Sequence, residues 1–171
     1  ALGSLAAGSA AIAFPLYIPS RVLGESAPSK QITLGFIGTG DHGVGHNLNQ
    51  TLQQPDAKVL AVCDVFESRR ERARRYVGLR DKTEDCKAYS DFRDVLARKD
   101  IDAVVISTPD HWHVPLSIAA VEAGKDCFCE KPTLTIAEGR TLVNVVKKHE
   151  RVYQTGLEDR AVSEYHRMAQ I

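Results

Sequence analysis

Four groups of side chains in this sequence have types and spacings suited to chemistry. The first is Gly38-Thr39-Gly40-Asp41-His42-Gly43, three glycines in the order G-x-G-x-x-G. Glycine is needed in such a loop for a tight turn, for a backbone bare enough to approach a pyrophosphate, and for close packing of helix on strand. A helix that starts there aims free N–H groups and a positive dipole end at phosphate, and Asp41 and His42 ride in the same loop as further contacts for a dinucleotide. The second group is Asp64, 21 positions after Gly43. A carboxylate there accepts hydrogen bonds from ribose hydroxyls and repels a 2′-phosphate, so NAD is expected in preference to NADP. The competing reading of Asp64 is a helix N-cap, with Glu67 completing a capping pair.

The third and fourth groups are Ser107-Thr108-Pro109-Asp110-His111-Trp112-His113 and Cys127-Phe128-Cys129-Glu130-Lys131-Pro132. Each closes an apolar run with polar residues, as expected where strands of an open sheet end at a ligand cleft. A lysine at that position, Lys131, can steer a substrate hydroxyl or share its proton. His111, His113, Cys127 and Cys129 also read as mixed metal ligands. Strand alternation puts both cysteines on one face, where small apolar side chains pack well, so no metal is expected. An extended i,i+2 pair is also separated by about 6.6 Å at Cα, with poor disulfide geometry. Cys63 and Cys86 read as buried thiols, and no Ser-His-Asp or Cys-His arrangement is supported.

These residues need a scaffold, and the pattern from Gln31 onward supplies one. Apolar strand candidates at 32–37, 58–63, 87–89, 102–107, 126–130 and 152–155 alternate with helix candidates at 44–53, 67–77, 91–98, 114–123 and 136–149. Gly124 stands where a helix ends and positive φ is useful. Strands that are apolar throughout and alternate with helices imply a parallel sheet covered on both faces. The expected fold is therefore a doubly wound α/β domain over residues 31–156. Arg69, Arg70, Arg72, Arg74 and Arg75 crowd one helix, with Glu67 and Glu71 among them. They read as a solvated helix face in preference to a nucleic-acid patch or a 2′-phosphate clamp.

Composition bounds the partners. The chain has 171 residues, with 22 Lys plus Arg, 22 Asp plus Glu and zero formal net charge. That balance argues against a polyanion binder acting through bulk charge, and 43% hydrophobic with 26% charged residues excludes disordered and fibrous classes. Residues 1–20 are uncharged but diluted by glycine and serine and broken by Pro15 and Pro19. No stable membrane span is expected there; the stretch reads as part of an export leader with a candidate Ala11-Ile12-Ala13 cleavage site, followed by a polar linker to Lys30. The alternative is a peripheral N-terminal arm.

The stretches GFIGTGDHGVGHN, CDVF, STPDHWHVPLSIAAVEAGKDCFCEKP and YQTG together resemble the Gfo/Idh/MocA family of NAD(P)-dependent oxidoreductases over residues 31–171. Glu130-Lys131-Pro132 is the most specific of these elements. The resemblance implies a Rossmann fold in which Gly38, Gly40 and Gly43 hold the pyrophosphate and Asp64 the adenosine ribose. Thr108, Pro109 and His113 would line the nicotinamide half, Glu130 would contact the nicotinamide ribose, and Gln154 and Gly156 would approach the same pocket. Lys131 is implied as the catalytic lysine, beside nicotinamide and substrate. It implies a hydride exchanged between NAD and a hydroxyl carbon of a sugar or polyol. Some relatives are instead NAD-dependent glycoside hydrolases that oxidise the sugar transiently, and a non-catalytic dinucleotide-binding module is the third reading. The leader is similar to that of exported, periplasmic members, which usually carry a twin-arginine signal, although the arginine pair is not in this chain. The family's other catalytic groups, commonly an Asp and a His, belong to a C-terminal α/β domain through which its oligomers form. That domain is expected to lie beyond residues 157–171, so the present chain is expected to bind a dinucleotide without turning over substrate alone.

Overall fold

The computed structural model describes residues 31–157 and 163–168; the expected leader at 1–30 lies outside the described residues, and the expected connection at 157–171 does so in part. Six strands, β1 (Ile32–Ile37), β2 (Ala57–Cys63), β3 (Lys87–Tyr89), β4 (Ala103–Ile106), β5 (Asp126–Glu130) and β6 (Tyr153–Gly156), form one sheet. Their order is β3-β2-β1-β4-β5-β6 and every neighbouring pair is parallel. The order reverses direction between β1 and β4, which opens a crevice at the carboxyl ends of those two strands.

Helices cover both faces because the strands are apolar on both. One core joins Ile37, Cys63, Val104, Ile106, Cys127 and Cys129 to Val95 and Leu96 of α3 (Phe92–Ala97) and to Leu116 and Ala120 of α4 (His113–Glu122). The other joins Phe36, Val59, Val62 and Val105 to Leu48 and to Ala73 and Val77 of α2 (Glu67–Asp81). Simple alternation would put Val59 and Val62 on opposite faces. A bulge reconciles them: Leu34 pairs with Val59 and Gly35 with Ala61, which leaves Leu60 as the extra residue.

Beyond one-residue shifts at other ends, three stretches differ from the sequence-based reading. The first helical segment was expected as α-helix over 44–53, but Gly43–Leu48 is π-wound and only α1 (Asn49–Thr51) continues it in α form. The wider winding lets Gly43, Asn47 and Leu48 all face the sheet. The second helix runs four residues past the expected Val77, to Asp81, and is stopped by Lys82 in the left-handed region at φ 52°. The polar stretch expected at the end of β4 contains a short 3-10 turn, Asp110–Trp112, and α4 begins at His113, one residue before the expected Val114. A Thr135/Glu138 capping box starts α5 (Ile136–His149), and α6 spans Ser163–Met168. No described helix is long and apolar enough to cross a membrane.

Candidate dinucleotide site

The loop between β1 and the π-wound turn is shaped by its glycines. Gly38 has φ 89°, and a Cβ there would lie 2.6 Å from the carbonyl oxygen of Ser107. A Cβ at Gly43 would overlap the carbonyl oxygen of Gly38, so the turn packs on the loop with no room for a methyl group. Gly40 is different, with open space where a side chain would be. Two glycines thus allow close packing and one leaves a bare cradle, the division of labour that pyrophosphate binding needs.

Asp64 closes this loop onto the end of β2. Its Oδ2 accepts from the Thr39 N–H at 2.9 Å and the Thr39 hydroxyl at 3.3 Å, and its Oδ1 accepts from the Phe66 N–H at 2.9 Å. Asp64 is not the cap of α2; the N-cap is Phe66, with no side-chain cap bond. The alternative of a capping pair with Glu67 is therefore wrong, because the carboxylate turns back to the glycine loop. The arginines of α2 are exposed or half-buried, as a solvated face would have them, and some also reach the loop. Arg70 donates to the carbonyls of Asp64 and Val65, Arg72 to the Thr39 carbonyl and to Asp41, and only Arg74 pairs along the helix, with Glu71.

A cleft of about 630 Å³ lies over this edge, within the size range of ligand sites. Gly38, Gly40, Asp64, Thr108 and Pro109 all line it, together with Phe66, Arg69, Phe92, His111 and Trp112. The Thr108 hydroxyl is, among the described residues, the buried side-chain polar atom without a hydrogen-bond partner. Buried polar groups are normally satisfied, so an unpartnered hydroxyl in the same cleft as the bare backbone of Gly40 suits a polar ligand such as a dinucleotide.

A second cluster stands across β4, at the end of β5. Asn47 donates at 2.8 Å to both Ser107 Oγ and Glu130 Oε1, while His42 Nε2 lies 3.1 Å from the same Glu130 oxygen. His42 stacks on His46 with ring centroids 5.1 Å apart. Burial would raise the Glu130 carboxyl, but hydrogen bonds from Asn47 and His42 and the charges of His42 and Lys131 outweigh it and hold the group below the ordinary glutamate range. Gly156 fits against this group: a Cβ there would be 2.9 Å from the Phe128 ring and 3.0 Å from Glu130 Oε2. Asn47 carries no motif signal. Its clue is position, a polar residue one turn after Gly43 on the face that must meet the sheet.

Of the remaining expected residues, Lys131 is exposed at the carboxyl end of β5 and is joined to Pro132 by a cis peptide bond. His113 is buried, and its ring nitrogens lie 2.8 Å from the carbonyl oxygens of Pro132 and Thr108. It bridges the two loops that follow β4 and β5, with both ring nitrogens facing backbone carbonyls. Asp41 is exposed and ion-paired with Arg72 at 3.2 Å, and Gln154 is exposed on β6, outside the cleft lining. Cys127 and Cys129 are buried and their thiols are pushed by burial to about 12 and about 11. All four cysteines are free, and among the described residues no cluster of three or more His, Cys, Asp or Glu is arranged to hold a metal ion.

Comparison with known proteins places this geometry. Residues 32–157 match the family described as "Oxidoreductase family, NAD-binding Rossmann fold". A glycosyl hydrolase family 109 protein of Shewanella sp. (strain W3-18-1) is 33% identical over 135 residues, covering 76% of this chain and 29% of that protein. The scyllo-inositol dehydrogenase of Lactobacillus casei, solved with bound NAD(H) and scyllo-inositol, superposes with TM-score 0.72 at 29% identity, over 82% of this chain and 40% of that one. Myo-inositol 2-dehydrogenase from Lactobacillus plantarum gives TM-score 0.72 at 28% identity, over 83% and 41%. The chain thus spans between 29% and 41% of the length of these relatives. With its glycine loop, its Asp64 latch and its strand order in place, the chain belongs to the Gfo/Idh/MocA family of oxidoreductases and carries that family's NAD-binding Rossmann domain.

Proposed function

We propose that this chain is the cofactor half of an NAD-dependent dehydrogenase acting on a hydroxyl carbon of a sugar or cyclic polyol. The observation that carries the reading is the likeness to inositol dehydrogenases, one of them solved with NAD(H) and scyllo-inositol. NAD, when bound, accepts the hydride from the carbinol carbon as that carbon becomes a carbonyl. The bare backbone at Gly40, in the turn that Gly38 and Gly43 allow to close, receives the pyrophosphate, and Asp64, fixed by Thr39 and Phe66, turns its remaining lone pairs to the adenosine ribose. The open Thr108 hydroxyl serves the nicotinamide side of the cleft. Lys131 positions the substrate hydroxyl, and Glu130, tied down by Asn47, sets the strand end from which that lysine projects.

The test uses the complete product of the gene, since the chain spans only 40% of the inositol dehydrogenase. Incubated with NAD+ and a panel of inositols and sugars, it is expected to yield NADH in proportion to substrate oxidised. A second reading is favoured by the relatives named glycosyl hydrolase family 109. In it the same hydride transfer is transient and the product is a cleaved glycoside. Glycoside cleavage with no net NADH would decide for that reading, and no reaction of either kind would leave the domain as a dinucleotide-binding module. Export is part of the same proposal, read from residues 1–20 and tested by fractionating cells that express the full gene.

A further inference from the structure

The cleft contains one arginine to which the glycine loop, Asp64 and the strand ends give no role. Arg69 lies in the first turn of α2, and its guanidinium carbon sits 4.8 Å above the centroid of the Phe66 ring. It lines the cleft together with Gly40 and Asp64. The Cβ position above Gly40 has one heavy atom within 4 Å apart from its chain neighbours, and that atom is Arg69 Nη1 at 4.0 Å. The open space over the bare glycine is therefore bounded by a guanidinium.

The neighbouring arginines are engaged elsewhere. Arg72 pairs with Asp41, Arg74 with Glu71 and Arg93 with Asp91, while Arg70 is held by backbone carbonyls. Arg69 is in no ion pair among the described residues. Its stacking partner is itself exposed, so the pair does not serve the core. A guanidinium kept flat on an aromatic face presents its edge donors outward, and holding it there in advance lowers the ordering cost of using them. Its planar fork matches two oxygens of one phosphate.

We infer that Arg69 is a phosphate ligand of the dinucleotide, closing over the pyrophosphate at Gly40 from the adenosine side while Phe66 holds it in place. The inference rests on NAD occupying this cleft. Position decides which phosphate is involved: Arg69 faces the glycine loop, whereas a 2′-phosphate would stand at Asp64, whose carboxylate repels it. Arg69 and Asp64 then act together, one attracting the phosphate that NAD has and the other rejecting the one it lacks.

The test is calorimetric titration of the 171-residue chain and its Arg69→Ala and Arg69→Lys variants with NAD+, NADP+, AMP and adenosine. Arg69 is at the surface of α2, and circular dichroism verifies that both variants remain folded. The expected result is a loss of about tenfold or more for NAD+ and AMP in Arg69→Ala, with adenosine unchanged. Arg69→Lys, which keeps charge but loses the fork, should recover part of the loss. Equal losses for AMP and adenosine would make Arg69 a wall for the base and overturn the inference. A loss confined to NADP+ would make it a 2′-phosphate contact and overturn it as well. Unchanged NAD+ binding in Arg69→Ala overturns Arg69 alone, whereas a wild-type chain that binds no NAD+ overturns the cofactor assignment with it.

Discussion

Replacing Asn47 with aspartate should reverse the contribution of the Glu130 site to pH-dependent stability. In the native site Glu130 is buried and accepts from Asn47 at 2.8 Å and from His42 at 3.1 Å, and its carboxyl is held below the ordinary range despite burial. A carboxyl depressed in the folded state contributes stability above its unfolded value, near 4.3, and loses it as pH falls through the lower folded value. In Asn47→Asp a carboxylate replaces the amide at hydrogen-bond distance from Glu130. Two carboxylates so close cannot both ionise, so the pair keeps one proton and its apparent value rises. Stability from the site is then present at low pH and lost as pH rises through that raised value. At neutral pH the loss has two parts: about 1.5–3 kcal/mol for the charged hydrogen bond, and about 2–3 kcal/mol if the pair titrates two units above a free carboxyl. Asn47→Ala should lose only the first part, with no reversal. Urea unfolding at intervals between about pH 4 and 8 measures both slopes by linear extrapolation. If Asn47→Asp keeps the wild-type slope, Glu130 does not depend on Asn47 and the network is not what holds it.

Other perturbations follow from the same geometry. Gly38→Ala must place a Cβ 2.6 Å from the Ser107 carbonyl oxygen at φ 89°, so calorimetry should show NAD+ binding lost and unfolding easier by about 2–4 kcal/mol. Thr108→Val removes a hydroxyl that has no partner among the described residues; denaturant unfolding should show stability unchanged or improved by up to about 1 kcal/mol, while NAD+ affinity falls several-fold. Asp102 accepts from the Thr33 N–H and hydroxyl, at 2.8 and 2.7 Å, which holds its carboxyl below the ordinary aspartate range. Asp102→Asn should therefore remove a contribution that exists above about pH 4 and fades as pH falls below it, worth under about 1 kcal/mol for so exposed a group.

Much of this architecture was legible because it rests on local rules. Buried strands written in Val, Ile, Ala and Cys announce a parallel sheet, and a strand followed by three spaced glycines announces the loop whose φ and close contacts Gly38 and Gly43 display. What could not be read depends on groups distant in sequence. Asn47 looks like any helical asparagine until Ser107 and Glu130, 60 and 83 residues away, come beside it. His113 sits in a polar motif at a strand end, yet the fold buries it between two carbonyls that lie on different loops. The π-winding of Gly43–Leu48 has no simple periodic signal, because it exchanges one helical register for another to seat both Asn47 and Leu48 on the sheet. The arginines of α2 show a related limit: composition treats them alike, while the contacts each one makes are set by what the glycine loop and β2 bring within its reach.

The most direct measurement is titration of this chain with NAD+ and NADP+ side by side, with Asp64→Ala as the third arm. The expected result is saturable one-to-one binding of NAD+, weaker binding of NADP+ by about tenfold or more, and a gap that narrows in Asp64→Ala. Failure to bind NAD+, or tighter binding of NADP+, would contradict the role given to the glycine loop and to Asp64.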